Sequence, residues 1–217
     1  MRVSTIIMVV IFVIFGGLAW VAYWTSMRPE ASDLEALPEL DLSAEPLQTA
    51  ATGDSIPILE RGNKRVVFRA LARYRISGLL VSKHNYRGKF MNRLSPCDYA
   101  LVWGEVPNQM QYLKFNQVVR YCLFYIKDPS QVDVRYVANH MSNNHLIPAN
   151  ENIRRAIKRG KKGMKVELEG YLVRLKVYKG ERVFSTWSSS LTRTDDGGGA
   201  CELIYLTKLR IEDKVYE

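Results

Sequence analysis

The sequence predicts a mainly β fold of the α+β class: a small barrel of bent strands with one or two helices, tethered by an N-terminal transmembrane helix. Three observations carry this reading. There is an uncharged apolar run near the N-terminus, a pair of long alternating segments each interrupted by a central glycine, and one helical segment with a clear cap. A chain of 217 residues suffices for one well-cored domain with accessories.

The apolar run is Thr5 to Met27, 23 residues without a charge, about the length needed to cross a hydrocarbon core of roughly 30 Å as a helix. A cleaved signal peptide ending near Gly17-Leu18-Ala19 is the rival reading. The run continues through Trp20, Val21, Tyr23 and Trp24, however, and these aromatics suit an interfacial belt. Residues 1–27 are therefore expected to form a retained single-pass anchor, with the lipid bilayer as partner through residues 5–27. Arg2 and the terminal amine precede the run, so the positive-inside bias favours a cytoplasmic N-terminus in the inner (cytoplasmic) membrane and an extracytoplasmic C-terminal domain.

Residues 28–59 hold one basic and seven acidic residues with four prolines, the composition of a solvated linker. Setting aside Arg2, Arg28 and those seven acids, residues 60–217 carry 29 basic and 15 acidic residues, a net of +14. A basic β-rich domain on an acidic stalk is the expected organisation.

The domain reads mostly as strands. Phe68, Ala70, Ala72, Tyr74 and Ile76 alternate with Arg69, Arg73, Arg75 and Ser77, after which Gly78 interrupts and Leu79 and Val81 continue in the other parity. Val166 and Leu168 alternate with Glu167 and Glu169 until Gly170, and then Tyr171, Val173, Leu175 and Val177 take over. A bulge or bend at each glycine accounts for both switches and suggests a closed or half-closed barrel. "DYALVWGEV", "QYLKFNQVVRYCLFYIKD" and "VDVRYVAN" are further strand candidates. One helix is expected after Asn150, which caps it, with Ile153, Ala156 and Ile157 as its apolar stripe and Gly160 as a left-handed C-terminal residue.

"ERVFSTWSSSLTR" and "CELIYLTKLRIED" read as two strands joined by a hairpin loop at "DDGGG", where glycine supplies positive φ. On that pattern Cys201 faces the core. The segment 151–211, a capped helix followed by a glycine-bent strand and two further strands, resembles part of an oligonucleotide- or oligosaccharide-binding (OB) barrel. The resemblance is topological and covers about a third of the chain; it implies a binding module and names no ligand.

Candidate chemistry is sparse. Arg154, Arg155, Lys158, Arg159, Lys161, Lys162 and Lys165 crowd into twelve positions with no acid among them, and are read as the ligand-binding surface for an anionic polymer, lipid headgroups or an envelope protein. Nucleic acid becomes the partner if the domain is cytoplasmic. Tyr171, Tyr178 and Trp187 are candidate stacking residues, Tyr171 weakened by its core parity. The alternative function is an envelope hydrolase or transferase in which Cys201, or one of Ser188, Ser189 and Ser190, is the nucleophile and His140 or His145 the base. No Gly-x-Ser-x-Gly, P-loop or zinc-protease signature supports it, so no catalytic residue is assigned. His140 and His145 are five apart, which places them on opposite faces of a strand, and no metal or cofactor is implied. "NHMSNNHLIPAN" reads as a polar loop in which Ser142, Asn143, Asn144 and Asn150 satisfy turns and caps. Cys97, Cys122 and Cys201 allow at most one internal disulfide and are expected as buried thiols.

Overall fold

The computed structural model describes residues 3–32, 37–192 and 201–217, with side chains from Val10 onward. In chain order the elements are α1 (Val3–Ser26), β1 (Leu47–Ala50), β2 (Leu59–Arg61), β3 (Lys64–Asn85), α2 (Phe90–Leu94) and β4 (Cys97–Val102). A 3-10 turn (Val106–Tyr112) leads to β5 (Leu113–Val118), β6 (Tyr121–Ile126), α3 (Val134–Asn139), β7 (Met141–Pro148) and α4 (Glu151–Ala156). The chain finishes with β8 (Lys165–Lys179), β9 (Arg182–Ser188), β10 (Glu202–Ile211) and β11 (Lys214–Tyr216). The fold is mainly β with a few helices, of the α+β class.

Strands β3, β4, β7, β10 and β8 pair in that order, and β8 pairs back with β3. Every pairing in this ring is antiparallel except β7 with β10, which run parallel. One apolar cluster draws on each ring strand, through Tyr74, Tyr99, Leu146, Leu168 and Ile204, and is completed by Ile153, Ala156 and Ile157 of α4. A second joins Val66 and Phe68 of β3 to Val173 and Leu175 of β8, Leu203 of β10 and Leu94 of α2. The third packs the β5–β6 hairpin and α3 over Ala100 and Val102 of β4.

The two long strands alternate as expected, but the glycines act differently. In β3 the even positions stay buried from Ala72 through Leu80, and the register shifts fall at Leu71 and Val81. In β8 the parity switches between Leu172 and Val173, opposite the Leu71 shift. Gly78 and Gly170 mark close approaches instead. A Cβ on Gly78 would stand 3.0 Å from the Val102 carbonyl oxygen, and one on Gly170 2.1 Å from that of Tyr205.

Three local readings are corrected. "VDVRYVAN" is helix α3, because the Asp133 carboxylate accepts from the N–H groups of Arg135 (2.8 Å) and Tyr136 (3.2 Å), and this cap outweighs the β propensity of the valines. "QYLKFNQVVRYCLFYIKD" is a hairpin rather than one strand, turning at Val119 and Arg120. "NHMSNNHLIPAN" is not a loop, since its Met141–Pro148 portion is the ring strand β7, nearly all buried. At α4, Asn150 does cap, accepting from Ile153 N–H at 2.9 Å. Gly160 is not left-handed; it is small because Tyr99 lies against it. β9 and β10 form as expected, while "DDGGG" falls outside the described residues.

The acidic stretch 28–59 is not a free linker. β1 pairs with β3, and three of the described acids meet basic groups of the domain: Asp54 forks onto Arg73 at 2.7 Å, Glu39 pairs with Lys165, and Glu45 sits 3.0 Å from His140 Nε2. These pairs add to the backbone pairing of β1 with β3 in holding the described parts of the stretch against the domain. The Arg73 guanidinium holds the Asp54 carboxyl below its ordinary pKa.

Every large apolar side chain described on α1, from Val10 to Trp24, is exposed. Among the described residues no helix is long and apolar enough to cross a membrane. The expected transmembrane tether is therefore not supported among the described residues, where the α1 backbone runs from Val3 to Ser26 and its side chains are described from Val10 onward.

Candidate polar cavity on the outer face of the barrel

The residues that sequence reasoning singled out as chemistry belong mainly to two stretches, and the parallel β7–β10 pairing brings those stretches side by side. Register places Asp98 of β4 opposite His145 of β7, and Asn144 of β7 opposite Glu202 of β10. Cys201 immediately precedes β10, and Asn143 Nδ2 lies 3.8 Å from its sulfur.

Asp98, fully buried, organises the site. Its Oδ1 accepts from Arg120 Nη1 at 2.9 Å; its Oδ2 accepts from the Tyr86 hydroxyl at 2.9 Å and lies 3.0 Å from His145 Nδ1. Arg120 spends its fork inside the protein, donating also to Ser95 Oγ (3.2 Å), Asn92 Oδ1 (3.0 Å) and the Ser95 carbonyl (2.9 Å). Its guanidinium stacks 3.8 Å from the Tyr86 ring centroid and 5.3 Å from that of Trp187, which in turn lies 4.8 Å from His145. Burial, followed by the neighbouring Asp98 charge, raises the Tyr86 pKa above the ordinary phenol value. A cavity of about 310 Å³ opens here, walled by Arg120, Tyr121, His145, Trp187 and Cys201, with Ser188 at its edge.

The hairpin tip is forced into place. Val119 adopts φ 56°, a conformation that β-branched residues rarely take. Its carbonyl lies against the Tyr86 hydroxyl, whose single proton serves either this oxygen or Asp98, and the carbonyl of Arg120 accepts from Asn143 Nδ2 at 2.8 Å. Strain held by surrounding contacts is the expected signature of a site built on a loop. Val119→Gly is predicted to raise stability by about 1 kcal/mol, the relieved strain exceeding glycine's entropic cost; chemical denaturation reads this directly.

Of the alternative catalytic candidates, His145 and Cys201 share the cavity and His140 does not. His140 stacks on Tyr136 at 3.8 Å and approaches Glu45, roughly 17 Å along β7 from His145. The serine hydroxyls are engaged by the chain itself. Ser188 Oγ donates to the Ser189 carbonyl, Ser189 Oγ accepts from Leu203 N–H at 3.0 Å, and Ser190 Oγ accepts from Thr192 N–H at 3.1 Å. Cys201 is half-buried at the cavity wall rather than sealed in the core.

The seven basic residues divide. Arg154 donates to the Arg93 carbonyl at 2.8 Å, Arg155 reaches carbonyls at the end of α1, and Lys165 is paired with Glu39. Lys158, Arg159, Lys161 and Lys162 are exposed. Of the aromatic candidates, Trp187 reaches the cavity, Tyr171 packs in the second apolar cluster, and Tyr178 carries the Arg65 guanidinium at 5.0 Å.

Asp98, Arg120 and Tyr86 were not singled out from the sequence. They come from three separate segments, and no local pattern marks them. Among the described residues no three His, Cys, Asp or Glu side chains converge to hold a metal ion.

Burial pushes the thiols of Cys97 and Cys122 up to about 12. The folded state keeps them neutral, whereas an unfolded thiol ionises near pH 8.5. Their contribution is therefore fully present below that pH and is lost as the pH rises toward 12. Denaturation midpoints are predicted to fall over this window, with Cys97→Ala showing a shallower decline.

No family model, characterised protein or solved structure was found to match the chain.

Proposed function

We propose that the chain is a single-pass, membrane-anchored binding module of the cell envelope. In this reading α1 spans the cytoplasmic membrane and the barrel stands on its extracytoplasmic side, presenting its cavity and its basic surface to an anionic ligand or an envelope partner protein. The observation that carries it is the bare helix. A helix that is apolar all round and leaves Phe12, Phe15, Trp20 and Trp24 more than half exposed requires lipid or another protein to cover it.

The barrel supports the binding part. Its ring order, its single parallel pair and a helix between the third and fourth ring strands are OB-like features. Such barrels hold ligands over the second and third strands, between flanking loops. Here those strands are β4 and β7; His145 of β7 lines the cavity, and β9, the β5–β6 tip and Cys201 supply most of the rest of its wall.

The test is a membrane-impermeant maleimide applied to intact cells that express the full chain with Ser55→Cys, an exposed position. Labelling before lysis is expected. Protection until lysis overturns the envelope placement and makes nucleic acid the leading anionic partner.

A second reading, an envelope hydrolase or transferase using Cys201, is favoured by one observation: His145, whose Nδ1 lies 3.0 Å from the Asp98 carboxylate, shares the cavity that Cys201 lines. It requires a thiolate at neutral pH. Alkylation of Cys201 by iodoacetamide that titrates below about pH 7 and loses that limb in His145→Asn supports it; an ordinary thiol profile rejects it.

A further inference from the structure

The chain leaves α1 and at once docks on α4. Arg155 donates to the Ser26 carbonyl and, at 3.5 Å, to that of Arg28. Asn152 and Glu30 form a reciprocal pair, Glu30 N–H to Asn152 Oδ1 at 2.7 Å and Asn152 Nδ2 to the Glu30 carbonyl at 2.9 Å. Ser32 then bridges Val215 of β11, its N–H donating to the Val215 carbonyl at 2.9 Å. A cation against the last carbonyls of a helix is favourably placed, and together these bonds fix the helix end to the domain.

Four exposed cations follow the clamp closely in the chain. Lys158 and Arg159 come three and four residues after Arg155, within one turn of it, and Lys161 and Lys162 follow in a second turn beyond the buried Gly160. Arg155 itself reaches the carbonyls where the chain leaves α1, next to Trp24 and to Arg28, whose guanidinium stands 5.6 Å from the Trp24 ring. Aromatics at this position mark a membrane–water interface.

We infer that Lys158, Arg159, Lys161 and Lys162 form a lipid-headgroup site, and that the Arg155–Asn152 clamp holds them against the anionic phospholipids of the leaflet in which α1 ends. The inference rests on the reading of α1 as a membrane span and deepens it by naming the anionic partner. Basic clusters beside a membrane span are drawn to anionic headgroups over a Debye length. Glu151, in the first turn of α4, is paired with Arg154 and Arg155 rather than with these four.

The test places the full chain in nanodiscs containing headgroup-nitroxide lipid, with a fluorophore on Lys162→Cys. Two compositions are compared, phosphatidylcholine alone and phosphatidylcholine with roughly one third phosphatidylglycerol. Quenching is expected to rise at least twofold in the anionic discs, and to return to the neutral level in Lys158→Glu/Arg159→Glu/Lys161→Glu and in Arg155→Ala. Incorporated protein whose quenching is the same in both compositions overturns the headgroup site while leaving the anchor intact. Protein that fails to co-elute with discs overturns the anchor, and the headgroup site falls with it.

Discussion

Arg120→Ala is expected to lower the unfolding free energy by about 3–5 kcal/mol, because it removes the cation from a carboxylate that has no access to water. Asp98 is fully buried, and Arg120 is its ion-pair partner at 2.9 Å. The truncation also leaves the Ser95 carbonyl and Asn92 Oδ1 without their guanidinium donor and strips the anchor from a hairpin tip that holds Val119 at positive φ. Arg120→Ala/Asp98→Ala should cost less than the sum of the two single changes, since the second removes the charge that the first strands. Urea denaturation of the four-protein cycle measures this. Additive costs would mean that the pair contributes nothing and that the hairpin is held by packing alone.

Gly170→Ala is expected to cost about 3 kcal/mol or more, at the upper end of overpacking effects. Its new methyl would lie 2.1 Å from the Tyr205 oxygen and 3.0 Å from the Tyr205 carbonyl carbon, both backbone atoms in the ladder that pairs Gly170 with Leu206. No rotamer change relieves such a clash, so β8 and β10 must separate within the ring. Gly163→Ala makes the contrast: φ is 91° there, but nothing lies within 4 Å, and a cost of about 1 kcal/mol from backbone strain is expected. Equal losses at the two positions would refute the close approach.

What the sequence made legible follows the range over which each signal acts. The alternation of Phe68, Tyr74 and Ile76 with arginines and the cap at Asn150 are local, and both form as read. β7 was hidden because its inward-facing residues are polar: Asn144 Nδ2 donates to the Tyr99 carbonyl at 3.1 Å across the sheet, a partner no local pattern shows. The hairpin was hidden because Val119 and Arg120 carry no turn signature; the turn is held by Tyr86, Asn143 and Asp98 from distant segments. Charge was visible in the acidic stretch and the basic domain, but each was read alone, and their attraction to one another is what the structure adds.

The candidate site was half visible. Cys201 and His145 stood out by residue type, and the parallel pairing of β7 with β10 set them in one cavity. Their organiser, Asp98, lay in a segment that looked like an ordinary strand. Long-range pairing decides such sites, and a single sequence carries no trace of register between strands that are distant along the chain.

Membrane insertion of α1 is the proposal on which the placement of the barrel and of its basic surface depends. The most direct measurement is alkaline carbonate extraction of membranes from cells making the full chain, followed by flotation of the extracted material. The protein is predicted to remain with the floated lipid, and a chain lacking residues 3–26 to be released. Release of the full chain into the carbonate supernatant would contradict the anchor and, with it, the placement of the basic surface at the headgroups.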